Sequence, residues 1–487
     1  MADDPVGPNP TYMADIRHFF RPQDVRHMGD RGIHIGTYED LKANATNVLG
    51  VVMPPGAFMP PDADGKWSAN RAQTFKNWIV NKCPEGTATP QPGGGTTPGS
   101  GEGPADRVRK NVASLSADEI ATLKTAFTGI MDREPTDPNS YFALAGIHGR
   151  PRLLCLHHQD RYAPWHRAYL RVFEDQLRTV PGCEDVTMPY WDLSTPLPDL
   201  LQQPPFDSYA LPQDVPGIPP DYKTERYTPQ KIIDNLNEQD VLEELGKSLE
   251  QSKWGVSGIG GYQLYSIQAH DGGHGSIGPT MAKQERASYD PVFWFFHANL
   301  DRLWVKWQQN VGATTFTTFL STVSADHKEW WSAPFNELKP WTAPTSDGTI
   351  AFGIAYEDTA EEIALENRVG SIQALHAFAI RRSTPVSVRV KNIDRSNIPG
   401  SFAVHLLADG EPIKKRFFFQ PTSPKDCEGC RESPLVNITF DVDQEEILDR
   451  KLSIQIEVPG LEDEDKRFPV SRAGSPTINA RLMLEEE

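Results

Sequence analysis

The chain has 487 residues and a formal net charge of −18, with 38% hydrophobic residues and 11 tryptophans. This length predicts two or three domains, and the apolar content is sufficient for packed cores. The negative charge argues against a nucleic-acid backbone as partner. The five cysteines are too few, and odd in number, for a disulfide scaffold.

The N-terminal sequence is acidic and has no apolar core typical of signal peptides. No apolar run approaches the length of a membrane span. We therefore predict a cytoplasmic protein without a membrane partner. Its oligomeric state stays open, and a homo-oligomer is compatible with the sequence.

Residues 1–86 are predicted to form a small helical N-terminal domain. Helical spacing is seen over Tyr38–Val51 and over Trp67–Val80, where Ser68 is suited to cap the second helix. Residues 87–104 contain six glycines and four prolines without a large apolar side chain, which predicts a flexible linker.

Residues 105–383 are predicted to form a mainly helical domain. Helical patterns cover Leu115–Met131, 164–180 and 291–309, and a proline-rich stretch at 196–230 predicts a long ordered loop.

Residues 384–487 change to a two-residue period, which is typical of strands that bury one face. A C-terminal β-sandwich of six or seven strands fits this pattern. The clearest strands are VSVRVKNI (386–393), VNITFDV (436–442), LSIQIEV (452–458) and INARLML (478–484).

Three histidines crowd the stretch CLHHQDRYAPWHRAYL, residues 155–170. Pro164 is suited to the first turn of a helix that carries His166. His157 stands nine residues earlier, so on one continuous helix the two side chains would face opposite sides. His157 must therefore lie in the preceding loop if both are to meet, and His148 can reach the same point.

His270 and His274 form an HxxxH pair in the sequence HDGGH. On a helix the two side chains share one face, but the glycines between them lower the helix propensity. An HxxxH pair arises by chance in roughly a third of chains with this histidine content. The pair is therefore a metal-site candidate only together with other ligands.

The segment YDPVFWFFHANLDRLWVKWQ, residues 289–308, gives a stronger helical pattern that Asp290 caps and Pro291 begins. His297 and Asp301 then lie one turn apart. A carboxylate at that place is suited to orient a metal-bound imidazole. The alternative is a buried His–Asp pair in a core helix without metal.

Together these segments offer two triplets of histidine ligands without a carboxylate or thiolate. Such sites leave positions open for exogenous oxygen ligands, and neutral imidazole suits copper, zinc and nickel alike. A zinc hydrolase is the weakest alternative, because the HxxxH pair lacks the zincin glutamate and six histidines exceed its needs. The triplets are His148, His157 and His166, then His270, His274 and His297.

The order of these motifs resembles the type 3 copper proteins, namely tyrosinases, catechol oxidases and haemocyanins. The resemblance rests on H-G-x-P…C-x-H-x8-H-R followed by HxxxH…DPxFxxxHxxxDR, and on PYWDLS at 189–194 and PWHRAYL. It is strong over 145–310 and weaker over 105–357. The C-terminal sandwich resembles the lid domain of latent tyrosinases.

This resemblance implies a four-helix bundle with a dinuclear copper site, in which each histidine triplet binds one copper ion. It implies oxidation of o-diphenols and ortho-hydroxylation of monophenols by O2, so small phenols are the expected substrates and o-quinones the products. Two other interpretations stay open. One is an o-aminophenol or catechol oxidase without monophenolase activity, and the other is a haemocyanin-like O2 carrier.

Further residues take roles from their place in the resemblance. Cys155 stands where family members form a thioether to a ligand histidine, here His157, with a free buried cysteine as the alternative. Asp271 is the candidate base for the incoming phenol, with a helix-surface carboxylate as the alternative. Gln284 matches the gate position, where a polar side chain predicts an open entrance.

The last domain contains two more features of interest. Cys427 and Cys430 form a CxxC motif of the kind that fungal tyrosinase lids carry for copper loading, and two thiolates suit Cu(I). A short local disulfide is the alternative. The segment KKRFFFQ, residues 414–420, supplies an aromatic side chain that can plug the active site.

Overall fold

The computed structural model describes the chain with several gaps, and the predicted linker 87–104 lies outside the described residues. The described residues are 37–52, 67–85, 107–255, 260–323, 385–459 and 467–482, with short pieces between 10 and 35 and between 331 and 357.

The chain divides into two compact units. The first comprises Met1–Pro104 and Thr314–Gly353, and the second comprises Ala105–Ala313 and Ile354–Glu487. The second unit therefore contains both the histidine-rich segments and the C-terminal strands. In the part of the chain that the structure describes, no helix combines the length and the apolar character needed to cross a membrane.

Two helices build the N-terminal part of the first unit, as the sequence predicts. They are α1 (Tyr38–Val52) and α2 (Ala69–Val80). The Ser68 hydroxyl accepts a hydrogen bond from the backbone N–H of Arg71 at 3.1 Å, which is the predicted N-cap. The two helices share a hydrophobic core around the buried Trp78.

The helical part of the second unit confirms the predicted helices, with ends that differ by a few residues. Its helices are α3 (Ala117–Met131), α4 (Tyr141–His148), α5 (Tyr162–Leu177), α6 (Pro229–Glu238), α7 (Val241–Glu250), α8 (Gly261–Ile277) and α9 (Val292–Asn310).

The sequence HDGGH lies inside α8, and its glycines are required by close packing. A Cβ on Gly272 would lie 2.9 Å from the side chain of Val241, and a Cβ on Gly273 would lie 2.6 Å from the ring of Phe296. Helices α7 and α9 therefore approach α8 closely at its glycines. The contact stabilises a helix whose local propensity is low.

Several short elements lie before and after the helices of the second unit. In the first unit these are α10 (Phe316–Leu320) and α11 (Ser346–Ile350). In the second unit, β1 (Arg107–Arg109) pairs in parallel with β2 (Ile354–Tyr356).

The C-terminal residues form two antiparallel sheets that share one hydrophobic core, so the predicted β-sandwich is confirmed. All four strands predicted from the two-residue period are present. The elements are β3 (Pro385–Asp394), β4 (Phe402–Ala408), β5 (Glu411–Phe418), α12 (Glu428–Glu432), β6 (Leu435–Asp443), α13 (Gln444–Ile447), β7 (Leu452–Glu457), β8 (Arg467–Phe468) and β9 (Gly474–Leu482).

The strand order is β6–β3–β9 in one sheet and β5–β4–β7–β8 in the other. Strand β5 lies at the edge of its sheet and packs against α8. The end of this edge strand therefore reaches the helix that carries two of the predicted metal ligands.

Candidate metal centre

The six predicted ligands converge in the interior of the second unit. Four helices and one loop supply them, and each is at most 7% exposed. His148 ends α4, His157 lies in the loop before α5, His166 is on α5, His270 and His274 are on α8, and His297 is on α9.

The Nε2 atoms of these histidines face one another. Nε2 of His148 lies 3.2 Å from Nε2 of His157, and Nε2 of His274 lies 3.2 Å from Nε2 of His297. Two imidazole nitrogens that bind one metal ion at about 2.0–2.1 Å are separated by about 3.3 Å in a tetrahedral arrangement. Each close pair is therefore spaced as two ligands of the same ion.

The two triplets adjoin and form one cluster. One nitrogen from each of His148, His157 and His166 lies within 4.8 Å of the others. His166 is also within that distance of His270 and His297. His166 therefore lies where the two predicted metal sites meet.

Hydrogen bonds on the outer side of the rings orient the ligands. The Nδ1–H of His166 donates to the carbonyl of Tyr162 at 2.9 Å, and the Nδ1–H of His274 donates to the carbonyl of Met281 at 2.9 Å. These bonds fix the tautomer in which Nε2 carries a free lone pair. Nε2 of His166 is buried without a hydrogen-bond partner among the described residues.

Burial keeps the six imidazoles neutral, as metal binding requires. Removal from water lowers the pKa of His166 and of His274 to about 3. The same cause, with the neighbouring histidines, lowers the other pKa values well below the ordinary range. A buried set of neutral imidazoles fits two copper ions.

Cys155 lies beside its predicted partner. Its Sγ is 3.3 Å from Nδ1 of His157, and burial raises the pKa of the thiol to about 12. The prediction that Gln284 lines an open entrance is wrong for this structure. Gln284 is 2% exposed, and its amide donates a hydrogen bond to Cys155 Sγ at 2.7 Å. The Gln284 amide therefore forms a hydrogen bond with the sulfur, whereas an open gate would require that the amide face solvent.

Asp271 is buried, so the alternative of a helix-surface carboxylate is wrong. Its Oδ1 lies 2.8 Å from Nδ1 of His270, while its Oδ2 accepts from the backbone N–H of Phe419 at 3.1 Å and lies 3.3 Å from Nε2 of His158. Burial raises the pKa of Asp271 well above its usual range, and the Phe419 amide opposes this change.

His158 is a site residue that the predicted site does not include, because a residue next to a ligand is expected to point away from the metal. Its backbone φ of 59° is uncommon outside glycine and allows both neighbouring side chains to face the site. Its Nε2 lies 3.2 Å from the carbonyl of Phe419, and its ring stacks on Phe418. No sequence pattern signals this backbone conformation.

Phe419, directly after β5, covers the histidine cluster. Its ring stacks on His274 with 4.0 Å between centroids. It meets the rings of His157 and His270 edge-on at 5.2 and 5.7 Å. Phe419 is therefore the residue of KKRFFFQ that lies over the site.

Ion pairs hold the same strand on the helical domain. Buried Arg416 pairs with Glu244 at 2.7 Å and with Asp240 at 2.9 Å. Lys414 also contacts Asp240 at 2.8 Å, and Lys415 contacts the exposed Glu238 at 3.2 Å. The Lys-Lys-Arg run is thus complementary to acidic residues at the junction of α6 and α7.

The predicted role of Asp301 as a direct partner of His297 is wrong. Nδ1 of His297 has no hydrogen-bond partner among the described residues. The Asp301 carboxylate instead accepts hydrogen bonds from Arg167 at 2.6 Å, Arg109 at 3.1 Å and Tyr356 at 2.7 Å. Two buried guanidinium groups outcompete a neutral imidazole for a buried carboxylate.

Cys427 and Cys430 form a disulfide, which is the alternative to a free dithiol. Neighbouring Asp426 lies 3.7 Å from Arg150, in the loop that follows α4. The role of this CxxC motif in copper loading stays a prediction.

Comparisons with known proteins agree with this geometry. The family model for the common central domain of tyrosinase matches residues 138–211 and 207–310. Hemocyanin 2 of Megathura crenulata is 28% identical over 228 residues, which is 41% of this chain and 6% of that protein. Tyrosinase HcTyr1 of Hahella sp. (strain CCB-MM4) is 26% identical over 262 residues, which is 42% of this chain and 54% of that protein.

Two solved structures share the fold at low sequence identity. The tyrosinase from Burkholderia thailandensis superposes with a TM-score of 0.57 and 19% identity, over 77% of this chain and all of that one. The holo-protyrosinase from Aspergillus oryzae gives a TM-score of 0.57 and 14% identity, over 77% of this chain and 92% of that one. Residues 138–310 of this chain therefore match the common central domain of tyrosinase, and the two solved structures share its fold.

Proposed function

We propose that this protein is a dinuclear copper enzyme that oxidises o-diphenols and ortho-hydroxylates monophenols with O2, giving o-quinones. We propose further that the C-terminal domain keeps it latent. One observation carries this proposal: an aromatic ring, that of Phe419, stacks on His274 within the six-histidine cluster. The cluster therefore has room for a phenol-sized ring once Phe419 leaves.

The two histidine triplets would hold the two copper ions. Bound copper supplies the affinity for O2 and the capacity for two-electron redox chemistry. The protein positions the phenol ring against His274, in the place that Phe419 takes here. Closed packing around the cluster excludes water from the reacting groups.

Asp271 is the proposed acceptor for the phenol proton. In the covered site its Oδ2 accepts the N–H of Phe419 at 3.1 Å. Departure of Phe419 frees this oxygen at the edge of the ring site, where a phenol hydroxyl can donate to it. A positioned carboxylate then takes the proton as the hydroxyl approaches the oxidant.

A thioether between Cys155 and His157 is part of the proposal. The 3.3 Å separation of Sγ and Nδ1 supports it, since both groups are already in contact inside a buried site. Such a bond would fix the loop ligand His157, the one ligand that no helix carries.

The second candidate function is reversible O2 transport. The observation in its favour is the match to Hemocyanin 2, together with the stacking of Phe419 on His274. In a carrier this cover would be permanent, and phenols would never reach the cluster. The expected partners of the enzyme are small phenols, and neither nucleic acid nor membrane is expected.

The two functions differ in whether O2 is consumed. We would load the full chain and its Phe419→Ala variant with copper and record O2 uptake with an o-diphenol, a monophenol and no substrate. The enzyme consumes O2 with both phenols, and the variant does so faster. Uptake with the o-diphenol alone identifies a catechol oxidase, whereas reversible binding without consumption in both proteins identifies a carrier.

A further inference from the structure

We propose that Gln284 is a positioning residue for formation of the Cys155–His157 thioether. The inference rests on the proposed crosslink and assigns its geometry to a third side chain. The amide Nε2 of Gln284 lies 2.7 Å from Cys155 Sγ, and that sulfur lies 3.3 Å from Nδ1 of His157. All three residues are at least nine-tenths buried.

The donor and acceptor roles along this chain of contacts are fixed by chemistry. The amide nitrogen of Gln284 can only donate, so it binds a lone pair of the Cys155 sulfur. His157 can bind a metal ion through Nε2 only when its neutral ring carries the proton on Nδ1, so the Nδ1–H also donates to the sulfur. Without the amide, the thiol group rotates about a single side-chain bond, and of these hydrogen bonds only those from the backbone of Cys155 and His157, in its own loop, still hold the sulfur.

The loop that carries Gln284 is itself held at two points, by His274 and by the backbone of Arg150, which lies two residues after His148. The Met281 carbonyl in this loop accepts from His274 at 2.9 Å, and the Glu285 carbonyl accepts from the backbone N–H of Arg150 at 2.8 Å. Gln284 stands between these two anchors. Its amide is therefore placed by the scaffold and not by the cysteine.

The crosslinking step is an oxidation with O2 as the oxidant. Of the two ring carbons next to Nδ1 of His157, Cγ carries the side chain and only Cε1 carries hydrogen. The new bond joins Sγ of Cys155 to Cε1, and the S–H and Cε1–H bonds break. Two protons and two electrons pass to O2, which becomes hydrogen peroxide, and Gln284 is unchanged.

The rate of this step can be followed without measuring catalysis. The full chain is prepared without copper, then copper and O2 are added and samples are denatured, reduced and alkylated over time. The crosslinked chain is lighter by two hydrogens and has one alkylated cysteine fewer than the five in its sequence. We expect Gln284→Leu to form it on the order of tenfold more slowly, since a buried hydrogen bond is lost.

The matched control is Gln308→Leu, since Gln308 is equally buried on α9 and donates to the Ala313 carbonyl away from the cluster. It should crosslink at the wild-type rate. If Gln284→Leu takes up no copper, Gln284→Asn replaces it, because the shorter amide cannot reach the sulfur.

Two failures are distinguishable in this experiment. If the wild-type chain keeps five alkylated cysteines after full copper loading, the thioether itself is wrong. If the wild-type chain forms the crosslink and the Gln284 variants do so equally fast, the role of Gln284 is wrong while the thioether and the proposed enzyme activity stand.

Discussion

Phe419 lies over His274 with 4.0 Å between the ring centroids and 17° between the ring planes. The lid thus places an aromatic ring directly against a predicted copper ligand. A side chain in this position and a phenol cannot occupy the cluster together, so under the proposed function the Phe419 contact competes with substrate binding.

Phe419→Ala should weaken this competition. Burial of a phenylalanine side chain stabilises by about 1.5–3 kcal/mol, which corresponds to roughly a tenfold to hundredfold larger open fraction. We expect diphenol oxidation by the copper-loaded full chain to rise by that factor. Phe419→Leu keeps an apolar plug and should give a smaller rise; equal rates for all three proteins would contradict a plug at this position.

Arg416→Met should loosen the lid through the buried ion pairs. It leaves Glu244 and Asp240 without their guanidinium partner, at a cost of about 3 kcal/mol. Hydrogen exchange of the β5 amides measures the opening directly. Lys415→Met is the matched control at the preceding position, because its partners Glu238 and Glu457 both reach solvent and such a pair contributes less than about 1 kcal/mol. Equal exchange in both variants would show that the buried pairs do not hold the lid.

Asp271→Ala should lower monophenol turnover more than diphenol turnover. A general base typically contributes about 10²–10⁴-fold, and only the monophenol path is expected to depend on it strongly. The measurement is the ratio of the tyrosine rate to the L-DOPA rate in one preparation. Because Asp271→Ala also removes the hydrogen bond from the Phe419 N–H, it changes the open fraction of the site, and this change affects both rates and cancels in the ratio. An unchanged ratio would remove Asp271 as the phenol base.

The copper-free protein should lose stability on acidification below about pH 6.5. Folded His166 and His274 have pKa values of about 3, while unfolded histidine titrates near its ordinary 6.5. Between these values the unfolded chain binds protons that the folded chain does not, so acid favours unfolding. Each such histidine contributes a slope of at most about 1.4 kcal/mol per pH unit.

Urea unfolding at several pH values between 7 and 5 measures this slope. His166→Phe should reduce this slope by the contribution of one titrating proton, at most about 1.4 kcal/mol per pH unit. This holds whatever the effect of the substitution on the absolute free energy of unfolding. His405→Ala, in the partly exposed lid pair with Glu457, is the comparison variant. A slope that His166→Phe leaves unchanged would contradict a buried neutral imidazole at this position.

The convergence of the histidines could largely be predicted from the sequence, for physical reasons that the structure makes clear. Helical period and Pro164 place His166 on α5, and the nine-residue spacing excludes His157 from the same helix. The structure puts His157 in the loop and joins it to His148 through Nε2. Local rules were sufficient here because each ligand lies on, or next to, a strongly patterned helix.

The hydrogen-bond partners of buried polar side chains could not be predicted from the sequence in this way. Arg109 stands 192 residues before Asp301 in the chain, and no local pattern links them. Gln284 and Cys155 are similarly separated, by 129 residues. Such contacts depend on which elements meet in the folded chain, so two expectations failed: that for Asp301, from its place one turn after His297, and that for Gln284, from the family resemblance.

The aromatic residue that covers the histidine cluster could be predicted only in part. The run of three phenylalanines predicted an aromatic plug but not its position, because β5 ends within it at Phe418. Phe417 packs at Gly275, Phe418 stacks on His158, and Phe419 alone reaches His274. The strand end, which the sequence does not mark, decides which ring enters the cluster.

The copper content per chain shows directly whether the six histidines hold two copper ions. We would fold the full chain with copper, remove weakly bound metal, and measure copper and protein by mass spectrometry. We expect two copper ions per wild-type chain, about one in His157→Ala and in His297→Ala, and two in His405→Ala. One copper ion or none in the wild-type chain, or unchanged loading in the ligand variants, would contradict the dinuclear site.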